Sequence, residues 1–127
     1  ILSHETALHV HGLTEREPNS IYVSVPYTYN AKHLREKGIT VHQCKDELYE
    51  LGAIQAVTKY GNTVKVYDAE RTICDMVKFR SKKDSQVFLY ALKEYMRSTN
   101  KNIGKLMRYA EKLGVEKEVR TYMEVLL

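Results

Sequence analysis

The sequence predicts an α+β protein: a small sheet of about four strands in the N-terminal half, packed with helices, and a helical C-terminal half. Three observations carry this reading. Apolar residues alternate with period two in "IYVSV", "ITVHQC", "AIQAVT" and "TVKVY", all of them before residue 68. From residue 68 onward the apolar period becomes helical. The chain of 127 residues, 43% apolar and 28% charged, also has the size and composition of a single domain with its own core. The expected organisation is one domain over 1–127, sheet-bearing in 1–67 and helical in 68–127.

In chain order, Ser3 can cap a short helix, Glu5 suits its positive end, and Gly12 can close it in the left-handed conformation. His4, His9 and His11 invite a metal reading, but helical ligand pairs want i,i+4 spacing and these are five, two and seven apart. The negative end of the helix dipole explains His11 better, and no metal or other cofactor is expected. "IYVSV", bracketed by Pro18 and Pro26, reads as a strand. In "YTYNAKHLREKG", Asn30 can cap and Gly38 can stop one or two helical turns. Its Tyr27, Tyr29, Lys32, His33, Arg35 and Lys37 interleave aromatic and basic groups as single-stranded nucleic-acid binders do, although a solvated loop has the same composition.

"ITVHQC" forms the second strand, and "DELYELG" a short helical connection ended by Gly52. "KYGN" (59–62) joins the last two strands, with a glycine and an asparagine that tolerate positive φ in a hairpin turn. Four apolar stripes follow. Ile73, Met76 and Val77 make the first; Phe88, Ala91, Leu92, Tyr95 and Met96 the second. Ile103, Leu106, Met107, Ala110 and Leu113 make the third, ended by Gly114; Val115, Val119, Tyr122, Met123 and Leu126 make the fourth. These stripes are read as core.

No apolar run approaches the ~20 residues that span a bilayer. No signal-peptide pattern is present, and the opening at Ile1 points to part of something longer. Cys44 and Cys74 lack CxxC spacing and read as buried free thiols of a cytosolic protein. Charge is uneven: residues 1–77 carry 8 Lys and Arg against 10 Asp and Glu, and residues 78–127 carry 12 against 6. A basic half of this kind meets an acidic partner or nucleic acid, or presents solvated Lys-rich helix faces. Lys78, Arg80, Lys82 and Lys83 fall between two helices, and Arg97, Lys101, Lys105 and Arg108 flank the next connection. Adjacent helix ends would thereby present one positive surface, with Lys82 and Lys83 exposed, contacting phosphates without sequence preference.

The stretch "TVKVYDAERTICDMV" (63–77) crowds Asp68, Glu70, Arg71 and Asp75 into eight positions. Asp68 sits where a helix N-cap belongs, and Glu70 lies in the first turn, favoured by the dipole. Arg71 and Asp75 are four apart and can pair along the helix. Catalysis would require convergent partners. A metal-dependent nuclease would want Glu-x-Lys on the next strand, and no strand carries it. GxxxxGK[ST] is absent, and Cys74 lies inside an apolar helical turn without a base. The four charges are read as cap and brace, with no catalytic residue.

"SHETALHVHGLTEREP", "IYVSVP", "YGNTVKVYDAERTICDMV" and "LMRYAEKLGVEKEVRTYMEVLL" together resemble the AbiEi family, the antitoxins of bacterial abortive-infection, type IV toxin–antitoxin systems. The likeness runs over nearly the whole chain and keeps the motif order. It rests on T-A-L-x-x-H-G-L (Thr6, Ala7, Leu8, His11, Gly12, Leu13) and E-R-T-x-x-D (Glu70, Arg71, Thr72, Asp75). The resemblance implies a cytoplasmic antitoxin domain that follows a winged helix–turn–helix, the two together repressing their own operon. It implies a nucleotidyltransferase-like toxin, counteracted without catalysis and without a stable complex, in defence against phage. The alternatives are a nucleic-acid-binding accessory module using the basic half, and a small nuclease-like enzyme using Asp68 and Glu70.

Overall fold

The structure, a computed structural model, describes residues 1–126. Its elements follow in the order α1 (His4–Val10), β1 (Tyr22–Pro26), α2 (Lys32–Glu36), β2 (Thr40–Cys44), α3 (Asp46–Tyr49), β3 (Ala53–Val57), β4 (Thr63–Tyr67), α4 (Ala69–Lys78), α5 (Ser85–Arg97), α6 (Ile103–Leu113) and α7 (Glu116–Leu126), with a 3-10 turn at Arg80–Lys82. Strands occupy the first half and long helices the second, as the change of period predicts.

The four strands form two pairs rather than one ladder. β1 and β2 run parallel in the register Tyr22↔Thr40 to Pro26↔Cys44, connected through α2. β3 and β4 form an antiparallel hairpin from Ala53↔Tyr67 to Val57↔Thr63. Gly61 supplies the positive φ of 82° that its turn requires, and Thr58 N–H closes the turn on the Asn62 carbonyl at 2.8 Å. Leu2 joins the two pairs. It bridges antiparallel to Val23 and parallel to Val66, donating to the Lys65 carbonyl and accepting from Tyr67 N–H at 3.0 and 3.1 Å.

α4 is the central element, packed by α1, α5, α6, α7 and β4. Ile73, Cys74, Met76 and Val77 on it are at most 1% exposed and lie among Leu8, Phe88, Leu92, Tyr95, Leu106, Ala110 and Val119. All four apolar stripes therefore reach one core, with Met96, Ile103, Met107, Tyr122, Met123 and Leu126 packed partly buried at its edge. Cys44 and Cys74 are free thiols, half-buried and buried.

Three local expectations are corrected. Ser3 occupies the N-cap of α1, but its hydroxyl caps nothing; it accepts from the Ser24 hydroxyl at 2.8 Å, so sheet packing takes the group. Ala31, not Asn30, is the N-cap of α2, and the Asn30 side chain accepts one residue early, from Lys32 N–H at 3.1 Å. Lys83 is not exposed: its side chain is 3% accessible and its ammonium lies 2.6 Å from Glu5 of α1. Glu5 thus serves a tertiary ion pair across the fold as well as the first turn of its helix.

Candidate functional site

The charged stretch after β4 folds into a buried polar hub. Asp68 takes the N-cap of α4, accepting from Arg71 N–H at 2.8 Å, and its backbone N–H donates to the Gly52 carbonyl at 2.7 Å. Gly52 has φ of 81°, and a Cβ there would stand 2.7 Å from the Arg71 Cβ, so only glycine lets the two segments approach. The second oxygen of Asp68 accepts from the Tyr109 hydroxyl at 3.0 Å and faces the Lys105 ammonium at 3.4 Å. Glu70 accepts from the Tyr95 hydroxyl at 2.6 Å and from Asn102 N–H at 3.3 Å, with Lys105 again at 3.2 Å. The loop that starts α6 is thereby tied to α4.

Arg71 works in the opposite direction. Its Nε donates to both oxygens of Asp75 at 3.2 Å, and Nη1 donates to the Leu48 and Leu51 carbonyls at 2.6 and 2.9 Å. The guanidinium carbon lies 4.1 Å from the centre of the Tyr67 ring. Thr72 donates to the Asp68 carbonyl at 2.7 Å. Asp68, Glu70, Arg71 and Asp75 are all less than a tenth exposed. Burial pushes the Asp75 carboxyl above its ordinary range against the opposing pull of Arg71. Burial pulls the Lys105 ammonium down, and the Asp68 and Glu70 carboxylates outweigh it and hold it above its ordinary value. Burial, followed by the bond to Asp68, raises the Tyr109 phenol to about 12. Each carboxylate of the hub is thus occupied by donors from α4, α5, α6 or the connecting loop.

His11 belongs to the same construction. It follows the last turn of α1, and its Nε2, as the protonated nitrogen, donates to the Tyr67 carbonyl at 2.7 Å. Gly12 follows with φ of 70°. His4, His9 and His11 do not converge: His4 stacks elsewhere, and His9 faces the cleft between α1 and the hairpin tip.

The eight basic residues of the C-terminal half divide into two groups. Lys78, Arg80, Lys82, Arg97 and Arg108 are exposed, with Arg80 donating to the Val77 carbonyl and Arg97 paired with Glu94. Lys83 and Lys105 are drawn inward by Glu5, Asp68 and Glu70, and Lys101 donates to the Ser98 carbonyl. The continuous positive surface expected from helix-end spacing is therefore reduced to its exposed members. No helix among the described residues is long and apolar enough to cross a membrane.

Sequence reasoning missed a second polar locality, at the carboxyl ends of β1 and β2. His4 and His42 stack there, ring centres 3.7 Å apart and 14° from parallel, with Phe79 edge-on to both. They line a pocket of about 240 Å³ that also holds Tyr27, Lys45, Lys78 and Lys112. Burial, with Lys83 adding to it, lowers His4 well below its ordinary value and His42 to about 4, so both rings are neutral near pH 7. No periodicity signals this pairing, because it depends on which strand lies beside α1. No family model and no curated protein matches this chain.

Proposed function

We propose that this chain is an antitoxin domain of the AbiEi type, acting without catalysis in the bacterial cytoplasm to counteract a nucleotidyltransferase-like toxin. One observation carries the reading: the two motifs of the resemblance, far apart in sequence, belong to one packed unit. Ala7, Leu8 and Leu13 of the first are buried beside α4, and His11 reaches the carbonyl immediately before Asp68. Glu70, Arg71, Thr72 and Asp75 of the second form the hub. A motif whose charged groups are spent on internal ties leaves few of them free for catalysis, which supports binding over chemistry. The occupied carboxylates weigh against the nuclease-like alternative, since Asp68 and Glu70 share Lys105 and keep hydroxyl donors of their own.

In this reading the domain works beside a winged helix–turn–helix that represses the operon, and it holds no stable complex with the toxin. The accessory nucleic-acid reading retains Lys78, Arg80, Lys82 and Arg108 as its exposed cations. The test is growth of cells expressing a nucleotidyltransferase-like toxin encoded beside this chain. Co-expression of the chain with its winged helix should restore growth, and the two proteins should not co-purify. Failure of a folded, well-expressed protein to rescue growth, or a stable stoichiometric complex, would overturn the proposal.

A further inference from the structure

The pocket at the carboxyl ends of β1 and β2 combines four independent features. It lies where parallel strands deliver their following loops, the usual position of ligands in such sheets. Lys45 from the β2–α3 connection, Lys78 from α4 and Lys112 from α6 line it, and none has an acidic partner within ion-pair distance among the described residues. Its one carboxylate, Asp75, is paired with Arg71. The fourth feature is His4, which holds φ of 49°, the lone positive value among the described non-glycine residues. Its buried Nδ1 has no hydrogen-bond partner. Strain together with an unpaired buried nitrogen is a cost that a fold tolerates where it serves a ligand.

We propose that this pocket binds a small phosphate monoester, its phosphate held by Lys45, Lys78 and Lys112 and its body lying against Tyr27 and the His4–His42 pair. Three lysines without acidic partners line one cavity and suit a dianion, and a neutral or basic ligand would leave their ammonium groups unpaired. The volume of about 240 Å³ lies below the ~300–1,000 Å³ typical of larger ligands, which restricts the body to about one ring. The neutral His42 ring, half-buried and backed by the buried His4 ring, supplies an aromatic wall for that ring. This inference is independent of the antitoxin reading.

The experiment is a titration of the whole chain with phenyl phosphate, observed through the histidine ring signals and by calorimetry at constant ionic strength. The His4 and His42 signals should move saturably while that of exposed His33 stays fixed. Lys45→Ala with Lys78→Ala should weaken binding at least tenfold, and Lys82→Ala should leave it unchanged; both replacements in the double variant are at exposed positions, so folding should survive. Unmoved His4 and His42 signals, equal movement with sodium chloride, or equal affinity of the double variant would each overturn the proposal. Displacement of phenyl phosphate by a short single-stranded oligonucleotide at lower concentration would assign the pocket to nucleic acid and equally overturn it.

Discussion

Replacing Arg71 by Met keeps most of the side-chain volume and removes the charge and all five donors. Asp75, fully buried, then loses its counter-charge, and the Leu48 and Leu51 carbonyls lose their donor. Breaking a buried ion pair from one side costs about 3–5 kcal/mol. A domain of this size has on the order of 5–15 kcal/mol in all, so the variant should lose at least about a fifth of its stability. The melting temperature should fall by on the order of 10–20 °C. Urea unfolding of wild type, Arg71→Met, Asp75→Leu and the double variant measures each term. The double variant should lose less than the sum of the singles, because no charge remains buried alone. Burial already raises Asp75, and without Arg71 it rises further, so its folded state binds the proton more tightly than the unfolded chain. The deficit of Arg71→Met should therefore narrow as pH falls from 7 toward 5. A single-variant loss under about 1 kcal/mol, or full additivity in the double, would refute the reasoning.

Lys82→Glu should change stability by no more than about 0.5 kcal/mol, the usual limit at an exposed site. Lys83→Glu, which sets a carboxylate against Glu5 in place of a 2.6 Å ion pair, should cost about 3 kcal/mol; equal losses by chemical denaturation would contradict the assigned burial. His42 should remain neutral down to about pH 4 in a proton-resonance titration, and a midpoint near 6.5 would contradict its packing. Because its folded value is depressed, its contribution is fully present above pH 6.5 and is lost as pH falls toward 4. The unscreened limit is about 3 kcal/mol, and roughly half of that should survive solvent screening of this half-buried ring.

Periodicity located every strand and the four long helices because each buries one continuous face, as Ile73 and Val77 or Leu106 and Ala110 do. Asp68 was legible as a cap because the requirement is local, a side-chain acceptor at the first turn. Arg71 and Asp75 were legible as a pair for the same reason. The rest of the hub was not. Tyr95 and Lys105 read as an apolar-stripe member and a surface cation, and only the packing of α5 and α6 on α4 brings both to Glu70. The burial of Lys83 is invisible in the sequence because its partner, Glu5, lies 78 residues away. The His4–His42 stack was equally invisible, since it joins a helix start to a strand through space.

Leu2 has a consequence for the order in which the fold can assemble. The parallel pair and the hairpin are each two strands wide, a width that is marginal in water on its own. The backbone rung between them forms when Leu2 meets Val23 on one side and Val66 on the other. The second contact closes a long loop, and its entropy must be spent before any hydrogen bond rewards it. During synthesis Leu2 therefore waits, unpaired on its Val66 side, until the hairpin has been made. Replacing Leu2 by Pro would remove the donor to the Lys65 carbonyl and loosen the rung that joins the two ribbons.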